Sequence, residues 1–124
     1  MDKIINKKVA ESVFFDNIGE INKKRKELDD MMLRTIKDYL IAKLNLHKGD
    51  ALYGRYGYDI VEIKLTQIDI LLNCLCGVQS ITFLGCDTST GEPSRIYLYE
   101  LIQVGDKEVN GKALSDTIFH IANG

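Results

Sequence analysis

The chain has no tryptophan, one proline, two histidines and three cysteines among its 124 residues, and each scarcity closes off a class of function. His47 and His120 stand far apart in sequence and outside any recognisable motif, so no Ser/His/Asp or Cys/His arrangement can be read. No phosphate-cradling glycine loop is present either. Gly85 and Gly91 bracket DTST, but no lysine and helix follow. Cys74, Cys76 and Cys86 are an odd number in a chain with no recognisable leader, which points to reduced thiols and not to a disulfide framework. The closely spaced ligand pairs of structural zinc sites are missing. With Leu72, Leu75 and Val78 as neighbours, the three thiols are expected in the core, and neither metal nor cofactor is expected. No apolar run approaches the roughly 20 residues of a membrane span. The opening MDKIINKKVAES carries charge without a hydrophobic stretch, so a cytoplasmic protein with no membrane contact is expected.

What is present is a charge asymmetry. The net charge is only −2, but residues 1–48 hold 11 Lys/Arg against 8 Asp/Glu, and residues 49–124 hold 5 against 10. A polyanion would be attracted by the first part and repelled by the second. The basic run KKRK, 23–26, does not form a focused stripe, because four consecutive helical residues point in four directions. Glu20, Glu27, Asp29 and Asp30 dilute its field, and a solvated helix face accounts for it.

The hydrophobic period changes at Gly49. Over 17–45, Ile18, Ile21, Leu28, Met32, Ile36, Tyr39 or Leu40, and Leu44 recur at three, four and seven, which predicts one amphipathic helix. Asn17 with Glu20 resembles an N-terminal cap. Residues 7–15 read either as a short preceding helix, with Gly19 near the joint, or as an arm. After Gly49 the period is two. Val61, Ile63 and Leu65 predict one strand, and Ile68, Ile70, Leu72, Cys74 and Cys76 the next. VQSITFLG and RIYLYELIQV (95–104) supply two more, separated by a turn, DTSTGEPS, that holds Pro93. GKALSDTIFHIA, 111–122, predicts a closing helix with Leu114, Ile118 and Ile121 as its stripe. The expected class is α+β: a helical region, 1–47, followed by a small antiparallel barrel or curved sheet with its helix, 48–124.

The KGD opening, the segment I-T-F-L-G, a turn and a strand ending L-Y-E-L-I resemble the small Src-homology-three-like barrels over about residues 48–104. That superfold includes tudor and ribosomal-type modules as well as peptide binders. The resemblance implies a fold and little about activity, since the fold hosts many functions. The tryptophan that peptide-binding members place in their groove is absent here.

Two stretches carry the functional expectation. YGRYGY, 53–58, offers Tyr53, Arg55, Tyr56 and Tyr58 on what the two glycines suggest is an exposed loop. Such a loop suits a protein partner, or is simply the bend between two strands. Asp50, Asp59 and Glu62 surround the one arginine, so a phosphate backbone is a poor guest and a basic protein patch a better one. The long helix has more apolar length than one small barrel can cover. Its surplus is met by a fold-back of residues 4–15 or by a second copy, with Leu28, Met32 and Ile36 at the contact of a two-fold dimer. The expected function is a non-enzymatic protein-binding module, an adaptor or inhibitor, of the compact acidic kind common in phage and mobile elements. The alternative is a nucleic-acid-associated regulator that uses the basic helical half.

Overall fold

The computed structural model describes residues 7–73 and 77–124. Its elements in chain order are a long helix α1 (Lys7–Leu44), strands β1 (Ala51–Tyr56), β2 (Asp59–Leu72), β3 (Val78–Asp87) and β4 (Pro93–Tyr97), a 3₁₀ turn (Leu98–Glu100), β5 (Leu101–Val104), β6 (Lys107–Glu108) and α2 (Gly111–Ala122). The protein is therefore α+β. The chain divides into two compact units, Met1–Met32 and Leu33–Gly124.

The described residues of the first unit, 7–32, are all helix. α1 begins ten residues before the position that Asn17 suggests and runs through both Asn17 and Gly19. Residues 7–15 are thus neither an arm nor a separate helix. In this unit Val9, Val13, Phe14, Phe15, Ile18, Ile21, Leu28 and Met31 are all exposed.

In the second unit α1 ends where the sequence suggests. Asn45 takes φ 51, a left-handed conformation that asparagine tolerates well, and Leu46 N donates to Ile41 O at 3.0 Å. Together they close the helix with a Schellman cap, and the capping Leu46 is buried. The last turns bury Ile36, Leu40 and Leu44, spaced four apart on one face.

The six strands form one antiparallel sheet in the order β4-β3-β2-β1-β5-β6. Residues 59–72 are a single strand where the alternation reads as two. Thr66 is a bulge, skipped by the register between Leu65↔Gly85 and Gln67↔Leu84. One extra residue shifts the side-chain phase, so Ile63 and Leu65 before it share the buried face with Ile68 and Ile70 after it. Leu71 is exposed; Cys74, Leu75 and Cys76 lie outside the described residues. Cys86, expected in the core, is exposed as a free thiol. Its neighbour Gly85 turns to the buried face, and alternation sends Cys86 outward.

The stretch 95–104 is not one strand. Residues 98–100 turn through a 3₁₀ helix, which takes the chain from β4 at one edge of the sheet to β5 beside β1. Glu100 stabilises the turn, its Oε1 accepting from Tyr97 N at 3.0 Å. Leu98, the first residue of the turn, and Leu101, just after it, are almost fully buried.

The sheet is strongly curved and does not close; among the described residues β4 and β6 are not paired with each other. The curvature has a specific trace. β4 and β1 are three places apart in the sheet, yet a Cβ built on Gly54 would lie 2.6 Å from Ile96 Cγ2. In a flat sheet strands three places apart stand roughly 14 Å from each other. Ile96 therefore reaches across the concave face onto Gly54, and the missing side chain makes room for it. Leu52, Ile63, Ile81, Phe83 and Ile96 form the centre of this core.

α2 closes the unit. Asn110 caps it, its side chain accepting from Ala113 N at 3.0 Å, and Gly111, Ser115 and Ile118 are its buried residues. Ile121, expected on the apolar stripe, is exposed. At the far end Asn123 accepts from Val78 N at 2.7 Å and donates to Val78 O at 3.3 Å. Its amide stands in for the peptide of a neighbouring strand.

Candidate functional site: a tyrosine-walled cleft

YGRYGY is mostly strand. β1 extends through Tyr56, which pairs with Asp59, so only Gly57 and Tyr58 remain as the turn. Gly57 has φ 63 and Tyr58 no positive φ, the pattern of a type II′ hairpin with glycine first. Gly54 is no hinge; it is buried under Ile96.

Strand alternation then separates the four candidate residues. Tyr53 and Arg55 lie on the face opposite Leu52 and Gly54. Tyr53 is half-buried opposite Glu62, and Arg55 is exposed opposite Ile60. Tyr58 projects fully from the turn. Tyr56 alone stands on the concave side, at the mouth of a cleft of about 410 Å³.

That cleft lies where the curled sheet fails to close. Gly54 and Val61 from the β1–β2 hairpin and Ile96 from β4 give it an apolar end. Tyr56, Tyr97, Tyr99, Arg95 and Glu100 supply the rest. The Tyr97 and Tyr99 rings are stacked, 5.4 Å between centroids at 16°, and the Arg95 guanidinium lies 5.3 Å from the Tyr97 ring centre. A second hollow of about 650 Å³ shares Tyr97 and Tyr99. It is bounded by Gln79, Ser80 and Ile81 of β3 and by Lys112, Ser115, Asp116 and Phe119 of α2. The stacked pair thus borders both hollows, and Tyr56 and Tyr99 both remain more than half exposed.

The two charged side chains that line the cleft, Arg95 and Glu100, are of opposite sign. Burial pushes the Tyr99 phenol above its ordinary value, and the Glu100 carboxylate, Tyr97 and Tyr56 add to the effect. Flat rings with polar tips, one cation and one anion equip the cleft to recognise a surface. Among the described residues no group of three or more His, Cys, Asp or Glu side chains is disposed to hold a metal ion.

The tyrosines outside YGRYGY were legible in one respect: Tyr97 and Tyr99 stand two apart in RIYLYE. The 3₁₀ turn that sets Tyr99 against Tyr97 leaves no mark in that pattern.

Of the residues expected at a helix contact, Leu28 is exposed and Met32 half-buried in the first unit. Ile36 is buried within the second. No described helix is long and apolar enough to cross a membrane. No family model matches the chain, and no curated protein or solved structure matches it.

Proposed function

We propose that the chain is a non-enzymatic protein-binding module, an adaptor or inhibitor, that docks its partner at the tyrosine cleft and self-associates through α1. The observation that carries this reading is the convergence of Tyr56, Tyr97 and Tyr99 with Arg95 and Glu100 at the open side of the sheet. Aromatic residues and arginine are the side chains that dominate protein–protein hot spots. The acidic balance of residues 49–124 favours a partner with a basic patch. A cytoplasmic, reducing setting accords with the free thiol of Cys86. The small acidic chain suits a phage or mobile-element product, and the curled sheet with its 3₁₀ turn suits the Src-homology-three-like superfold.

The test compares the tagged full chain with Tyr56→Ala and Tyr99→Ala for recovery of a partner from nuclease-treated lysate. Each folded variant should lose about 1–2 kcal/mol of binding, roughly five- to thirtyfold. Recovery that disappears on nuclease treatment, with retention on heparin at low salt, would favour a nucleic-acid regulator acting through the basic helical half. Folded variants that recover the same partner at unchanged affinity would remove the cleft from the function.

A further inference from the structure

We propose that residues 14–32 of α1 pair with a second copy of this chain as a parallel, in-register, two-stranded coiled coil, with Arg25 as its one charged seam position. The pairing rests on the self-associating reading of the chain and gives that association a geometry.

Phe14, Ile18, Ile21, Arg25, Leu28 and Met32 follow one another at four, three, four, three and four. This is the 3.5-residue repeat that keeps one seam facing a partner helix, with Ile18, Arg25 and Met32 at one core position and Phe14, Ile21 and Leu28 at the other. Four of the five apolar members are open to solvent, Phe14 58%, Ile18 40%, Ile21 49% and Leu28 61% exposed, and Met32 is half-buried. From Phe14 to Met32 the seam is roughly 27 Å long. Residues 7–15 do not fold back to cover it: they belong to the same helix and lie along the seam's own axis. A helix of this length without alanine-rich sequence is marginal in water unless its apolar side is covered.

The flanking residues select a second copy and its direction. In a parallel pair Lys24 of each chain faces Asp29 of the other, five residues on, and Asn17 faces Asn22 in the same relation. Both contacts occur twice, as a two-fold axis requires. An antiparallel pair that matched Phe14 with Met32 would instead centre on residue 23 and bring Lys24 against its own twin. Arg25 faces Arg25 in the parallel pair. Its stem covers the seam while the guanidinium reaches outward to water. A single cation at that position fixes register and strand number at a cost in stability.

The experiment is sedimentation of the full chain from micromolar to near-millimolar concentration, with far-ultraviolet circular dichroism over the same range. A monomer–dimer equilibrium is expected, with helical signal lost on dilution. Arg25→Leu should tighten the dimer by about tenfold or more. Leu28→Glu should abolish it while the tyrosine near-ultraviolet spectrum of the sheet unit persists. Asp29→Lys should weaken it, and Lys24→Glu added to Asp29→Lys should restore it. Phe14→Cys, oxidised and peptide-mapped, should link residue 14 to residue 14, which an antiparallel pair would hold roughly 27 Å apart. A mass near 14.0 kDa at every concentration, no response to Arg25→Leu, or a Phe14→Cys/Met32→Cys chain that oxidises to a link between residue 14 of one copy and residue 32 of the other would each overturn the proposal. A chain that stays monomeric yet captures its partner through Tyr99 would sink the coil and leave the binding module standing.

Discussion

Replacing Gly54 by alanine tests the curvature on which the cleft depends. The added methyl would lie 2.6 Å from Ile96 Cγ2 and 2.9 Å from Cγ1, closer than real carbons approach. Ile96 is 2% exposed and β-branched, so it has little freedom to turn away. Overpacking of this kind costs about 1–3 kcal/mol. Alanine recovers about 0.4–1 kcal/mol by restricting the unfolded chain. The net expectation is a loss of about 1–2 kcal/mol, read from urea unfolding followed by tyrosine fluorescence. Ile96→Ala removes all the offending atoms and leaves a cavity, costing about 2–5 kcal/mol alone. The double variant should be more stable than the sum of the two losses by at least about 0.5 kcal/mol, because the methyl then enters vacated space. Strict additivity, or a Gly54→Ala chain as stable as the parent, would mean that β4 does not fold over β1, and the cleft would lose its apolar end.

Asn123→Ala removes both side-chain bonds to Val78 and should cost about 1–3 kcal/mol, with faster amide exchange at Val78 as the local readout. Asp87 accepts from Ser89 Oγ at 2.6 Å, Ser89 N at 2.8 Å and Thr90 N at 3.2 Å. The Ser89 hydroxyl bond, first among these, holds its pKa below the ordinary value of 3.8. Its stabilising effect is therefore complete above the unfolded value and fades as pH falls through the folded one. Asp87→Asn should flatten that part of the acid-unfolding profile, and an unchanged profile would refute the assignment. Tyr99 ionises above its ordinary value of 10.0, so stability falls once pH rises past the unfolded phenol's pKa. Glu100→Gln keeps an acceptor for Tyr97 N while removing the charge, and should lower the Tyr99 midpoint in absorbance titration without unfolding the chain.

The halves of the fold were legible because they rest on period: three-and-four spacing before Gly49, alternation after it. Two features hid behind that same signal. The Thr66 bulge makes one strand read as two, since an inserted residue inverts every later side chain. The 98–100 turn makes two strands read as one, because Ile96 and Leu98 keep the alternation while the backbone leaves the sheet. The start of α1 was missed because Asn17 and Glu20 mimic a cap inside a helix that continues past them. For the site, YGRYGY contributed Tyr56. Its partners Tyr97, Tyr99, Arg95 and Glu100 are brought there by sheet curvature, a property of the assembled strands that no local window contains.

An unclosed sheet has two bare edges, and bare edges invite further strands and fibrous growth. Here each is blunted. β4 opens with Pro93, which has no amide hydrogen to offer an incoming strand. β6 is only two residues long, and both, Lys107 and Glu108, are charged and exposed. Backbone templating is thus discouraged at either end. Growth by strand addition would demand that a newcomer desolvate a lysine and a glutamate on one flank or forgo a ladder bond on the other. The sheet can stay open at the cleft, with tyrosines displayed to water, without inviting aggregation along its borders.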